Sequence, residues 1–119
     1  MEYEFDLPFP PSVNTLRASV RGRLITSSAG RKYYRAVAER MAEIGLAGEG
    51  VTSTVTISLV MHHKINVRYD VSNYLKAYED ALVKCGFIVD DHLIEYAGIK
   101  KGYKVAGGKL VVKVRVNGS

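Results

Sequence analysis

Asp70, Lys76 and the pair Asp90-Asp91 are the residues whose types and spacing suit phosphodiester chemistry. Cutting such a bond calls for oxygen ligands that hold Mg²⁺ or Mn²⁺, which activates water and neutralises developing charge. It also gains from a cation beside the scissile phosphate. The three aspartates can supply the oxygens and Lys76 the cation. Each residue has a plainer reading. An Asp before a helix is commonly a cap, an acidic pair after an apolar triplet is commonly a polar turn, and Lys76 with Asp80 at i, i+4 forms an ordinary surface pair.

A helix spanning about Ser72 to Cys85 is the element that must position this set, with Gly86 as its stop. At about 100° per residue, Tyr74, Leu75, Tyr78, Ala81, Leu82 and Cys85 fall on one arc that faces the core. Asn73, Lys76, Asp80 and Lys84 fall opposite, within an arc of about 80°. Asp70 sits just before that polar stripe.

The neighbouring elements follow from the same periodicities. Glu2 to Leu7 alternates charged and apolar residues, the mark of a strand with one wet face, and Pro8, Pro10 and Pro11 end it. Ser12 to Ser27 reads as a polar loop with a short hairpin around Arg21-Gly22. Ser27 or Ser28 can cap a helix from about Ala29 to Ile44. Thr52 to Met61 is rich in β-branched residues and reads as a strand. His62 to Tyr69 is a basic connection in which His62 and His63 read as surface groups. Phe87 to Val89 reads as a short strand or tight bend, and two further strands span His92 to Tyr103 and Lys109 to Val116. The order β-α-β-α-β-β predicts one α/β (α+β) domain over residues 1–119, a mixed sheet with two helices to cover it.

The composition narrows the partners. The 119 residues carry a net charge of +5 and 47% apolar residues, which suits a globular domain with an anionic partner such as nucleic acid or an acidic membrane surface. Arg17, Arg21, Arg23, Lys64 and Arg68 are the candidates for phosphate contact, with Asn73 and Lys76 beside them. Cys85 is the single cysteine, so no internal disulfide forms, and no Cys/His cluster suggests zinc. No apolar run approaches the roughly 18 residues of a membrane span. The start Met-Glu-Tyr-Glu-Phe does not read as a signal peptide, so a reducing cytoplasm is the expected compartment.

The residues also resemble a known family. Leu7-Pro8-Phe9-Pro10-Pro11-Ser12-Val13-Asn14, then Arg21-Gly22-Arg23 and Ser27…Gly30…Tyr33, are similar to the opening of the RusA family of Holliday-junction resolvases. So is the run from Asp70-Val71-Ser72-Asn73 through Lys76, Asp80-Ala81-Leu82 and Lys84-Cys85-Gly86-Phe87 to Asp90-Asp91. The resemblance covers nearly the whole chain. It implies a RusA-like fold and a homodimer that makes paired nicks in four-way or branched DNA with Mg²⁺. It further implies Asp70, Lys76 and Asp91 as catalytic residues, with Asp70, Asp90 and Asp91 at the metal. One position departs: the family motif commonly reads Asp-x-Asp-Asn, and Ser72 stands at the second Asp. Serine is a poorer ligand for a hard cation, so a junction-binding protein with weakened or lost catalysis is the alternative. A generic α/β interaction module is a third reading.

Overall fold

The computed structural model describes residues 1–118. Strand β1 (Glu2–Leu7) leads into a one-turn helix α1 (Val13–Leu16) and a hairpin of β2 (Arg17–Val20) and β3 (Arg23–Thr26). Helix α2 (Ser28–Glu43), strand β4 (Val55–His62) and helix α3 (Ser72–Lys84) follow. A 3-10 turn (Asp91–Leu93) then enters β5 (Ile94–Lys101), and β6 (Lys109–Val116) closes the chain. The large elements keep the expected order; α1 is an addition inside the segment read as loop.

The main sheet runs β1-β6-β4-β5, and only the β4–β5 pair is parallel. A parallel pair needs a crossover, and α3 supplies it. The strands alternate as a half-buried sheet should. Val55, Ile57, Leu59 and Met61 of β4, Leu110, Val112 and Val114 of β6, and Phe5 and Leu7 of β1 form the buried face. Against it lie Tyr33, Val37 and Met41 of α2 and Ala77, Tyr78, Ala81 and Leu82 of α3. The opposite face is charged, with Lys113 against Glu4 at 3.8 Å and Lys109 against Asp6 at 3.6 Å across β1 and β6.

Local chemistry sets the element ends. Ser27 is the cap of α2, its Oγ accepting from the Gly30 N–H at 3.1 Å. Gly86 stops α3 in the left-handed region at φ +79°, where a Cβ would also meet the Gly48 backbone at 3.1 Å. Strand β4 starts at Val55, later than the Thr52 expected, because Val51 bridges Ile88 instead. Strand β5 starts at Ile94, later than the expected His92, because Asp90 caps the preceding turn through the His92 N–H.

Candidate active site

Asp70 stands at the entry of α3. Its Oδ1 accepts from the Ser72 N–H at 3.2 Å and the Ser72 hydroxyl at 3.0 Å, while its carbonyl accepts from the Asn73 N–H. Asp70 thus closes a turn just ahead of α3, whose N-cap position is Val71 with no side-chain cap bond, and an anion here is favoured by the positive end of the helix dipole. Asp70, Ser72 and Asn73 are all exposed.

Further along α3, Lys76 donates to Asp80 Oδ1 at 3.1 Å, and the Tyr34 hydroxyl donates to Asp80 Oδ2 at 3.3 Å. Asp80 is thus held between two elements, with only 18% of its side chain exposed. The Lys84 ammonium sits 5.1 Å from the Tyr34 ring centre. These groups, with Arg17 from the hairpin root and Asp90 and Asp91 from the turn before β5, line a shallow cavity of about 460 Å³. Asp90 accepts from the His92 N–H at 3.1 Å and pairs with the His92 ring at 3.1 Å. The hydrogen bonds from the His92 N–H and ring are the chief cause that brings the Asp90 carboxyl down to about 2.

Glu79 belongs to this neighbourhood and was not among the residues singled out from sequence. It accepts from the Tyr96 hydroxyl at 2.7 Å. Burial raises its carboxyl above the ordinary range, the charges of Asp91 and Asp80 add to this, and the Tyr96 hydrogen bond and the Lys76 charge oppose it. Burial likewise raises the Tyr96 phenol. Glu79 lies off the polar stripe of α3, so helical projection gave no signal for it; Tyr96 comes from another element.

The cavity brings Lys76, Asp90 and Asp91 together with Asp80 and Arg17, and Asp70 is outside it. Asp70 lies two residues before α3, and Asp80 lies eight residues past its first residue, about 12 Å along the axis. Among the described residues, no three His, Cys, Asp or Glu side chains group closely enough to hold a metal ion. Asp70 thus stands apart from the cavity that Asp90 and Asp91 line.

Among the basic candidates, Arg21 and Arg23 sit on the exposed hairpin, and Lys64 and Arg68 on the exposed connection between β4 and α3. Lys64 borders a second depression of about 670 Å³ with Phe9, His63 and Tyr74. The histidines differ from expectation. His62 is buried at 6% exposure, with Nδ1 2.8 Å from the Tyr103 carbonyl. His63 packs its ring 4.9 Å from Phe9 and 5.1 Å from Tyr69. The strand end is covered by the β5–β6 connection, which sequence periodicity does not reveal.

The fold defines a small α+β domain with helices against one face of a mixed sheet and charged groups gathered along the outer side of α3. Residues 8–116 match the family described as Endodeoxyribonuclease RusA. The chain is similar to the crossover junction endodeoxyribonuclease rusA of Enterobacteria phage HK97, 32% identical over 95% of this chain and 93% of that protein. It is also similar to the protein of the same description, RusA, from Escherichia coli O139:H28 (strain E24377A / ETEC), 35% identical over 94% and 92% of the two chains. The corresponding protein of Escherichia coli (strain K12) is 33% identical over 98% and 97%. The chain belongs to the RusA family.

Proposed function

We propose that this chain is a structure-specific DNA endonuclease that resolves four-way and other branched DNA by paired nicks, working in the bacterial cytoplasm as a homodimer with Mg²⁺ or Mn²⁺. The observation that carries the reading is the cleft where Asp90 and Asp91 face Lys76 and Arg17, in a chain whose relatives are crossover junction endodeoxyribonucleases along nearly their whole length. No helix is long and apolar enough to cross a membrane among the described residues.

Within the cleft, Asp90 and Asp91 offer oxygens to a hard cation, and the ion, when bound, supplies an activated water and neutralises charge. Lys76 stabilises charge on the phosphate, released from Asp80 or shared with it. Arg17 holds the strand beside the cleft. Asp70 lies outside the cleft, at the entry of α3, and a second copy would give it a role. A symmetric dimer is the common route to paired nicks, and in it Asp70 of one chain would complete the carboxylate set of the other.

The second reading, binding without cutting, is favoured by Ser72, which is neutral and occupies Asp70 Oδ1. A labelled four-way junction incubated with the protein, with and without Mg²⁺, separates the two. Paired, metal-dependent nicks support the nuclease; tight binding with no product supports the second reading. Asp70→Asn keeps the shape and removes one charge, so it is expected to abolish cutting while junction binding persists. Undiminished cutting by that variant would remove Asp70 from the mechanism.

A further inference from the structure

The hairpin of β2 and β3 stands apart from the rest of the fold. Its strands pair only with each other, Arg17 opposite Thr26 through Val20 opposite Arg23. Arg21 and Gly22 both take positive φ, 52° and 77°, which closes the two-residue turn with the twist a hairpin needs. From Arg17 to Thr26, only Ala18 and Thr26 escape full exposure. Three of the exposed residues are large and apolar: Leu24 at 68%, Val20 at 46% and Ile25 at 39%. An isolated two-stranded hairpin is marginal in water, and exposed aliphatic groups on it call for a partner.

The charge around the hairpin says which partner. Between Asp6 and Glu39 the chain has no carboxylate side chain, while it carries Arg17, Arg21, Arg23, Arg31, Lys32 and Arg35. Two copies of so uniformly cationic a segment repel each other, and a polyanion suits it. The root of the hairpin is fixed: Ser27 N–H donates to the Leu16 carbonyl at 2.9 Å, and Leu16 is buried. Arg17 and Thr26, the root pair, line the cavity that holds Lys76, Asp90 and Asp91, so whatever the tip engages is continuous with whatever occupies the cleft. Strands of four residues extend about 13 Å, and a two-stranded ribbon fits a major groove about 12 Å wide.

We propose that this hairpin is an arm that enters the major groove of a duplex limb beside the branch point, and that it reads base edges there. Leu24 shares a ribbon face with Ser19 and the root residue Arg17 and is suited to thymine methyl groups, while Arg21 at the turn and Arg23 on the other face are suited to phosphates or guanine edges. The proposal rests on the branched-DNA reading and adds sequence preference to it: limbs with thymine under the arm are held more tightly.

Junction binding without divalent metal tests the arm, measured by anisotropy on a thymine-containing four-way junction and on one with uracil in place of thymine. Uracil lacks the methyl, so the wild type is expected to bind it about fourfold more weakly, the worth of one buried methyl-sized group. Leu24→Ser, at a site too exposed to threaten folding, is expected to bind both junctions alike, at the wild-type uracil level. Arg21→Ala is expected to weaken both equally and to lower the salt slope by about one. If the wild type binds the junction but Leu24→Ser leaves affinity and the thymine-to-uracil ratio unchanged, the arm does not enter the groove. If Leu24→Ser instead halves the mass in light scattering, these residues cover a second copy and the proposal fails. A wild type that binds no branched DNA overturns the function itself, and the arm with it.

Discussion

Ser72 and Glu79 are the two residues that most distinguish this site. The Ser72 hydroxyl and N–H both satisfy Asp70 Oδ1, so Asp70 is tied to its own helix rather than offered whole to a cation. In Ser72→Asp the hydroxyl donor is lost and a second carboxylate stands beside the first. We expect that variant to reach half-maximal cutting at lower Mg²⁺ than the wild type, with the gain confined to low metal. A titration midpoint that stays put or rises would leave position 72 out of the metal shell. Glu79 carries a pH signature. Its carboxyl is raised, chiefly by burial, so the folded chain holds that proton more tightly than the unfolded chain, whose Glu titrates near about 4.3. The protonated form therefore favours the fold below that ordinary value, and this contribution is lost as pH climbs through the raised one. Glu79→Gln keeps an acceptor for Tyr96 and cannot ionise. Its Tm is expected to exceed the wild type at pH 8 and to converge with it at pH 4; a constant difference across that range would show that ionisation of Glu79 is immaterial to stability.

The elements hold the site through a few tight joints. Gly30, in the first turn of α2, is buried, and a Cβ there would meet Thr26 Cγ2 at 2.8 Å and both a side-chain and a backbone atom of Leu16 at 3.0 Å. That is the joint between α1, the hairpin root and α2. Gly30→Ala suits a helix by propensity but is overpacked here, and we expect a net loss of about 1–3 kcal/mol in chemical denaturation. A gain in stability would mean that Thr26 and Leu16 yield freely. At the other end of the cleft, the low Asp90 carboxyl depends on the His92 N–H and ring. This turn presents Asp91 to the cleft with Asp90 ionised throughout the neutral range.

The whole molecule is basic, and its basic candidates are spread over the hairpin, the β4–α3 connection and α3. If Arg17, Arg21, Arg23, Lys64, Arg68 and Lys76 each release about one counterion, affinity falls with a log–log slope near about −5, on the order of a thousandfold over a fourfold rise in salt. A junction affinity that is flat over that range would contradict an electrostatic interface. The proposed second copy belongs to this scale too. Light scattering at micromolar protein is expected to give twice the mass of one chain; a monomer that still makes paired nicks would overturn the shared arrangement of Asp70 and Asp90-Asp91.

The sequence by itself determined what depends on local period and local chemistry. Alternation marked Glu2–Leu7 and Lys109–Val116 at their observed bounds, helical spacing marked α2 and α3 to within a residue or two, and Arg21-Gly22 marked the hairpin, because each signal lies within a few adjacent residues. The family was legible for a similar reason: its motifs are short and lie in order along the chain. Tertiary structure decided what depends on distant segments meeting. The order β1-β6-β4-β5 is set by which strands bury their apolar faces together, and no local pattern encodes it. His62 is buried because a later connection covers it, and Glu79 meets Tyr96 because α3 crosses back over β5. The same crossover decides the site. It runs α3 from the end of β4 back toward the start of β5, so Asp70 stays at the helix entry while the turn carrying Asp90 and Asp91 returns beside Lys76 and Asp80.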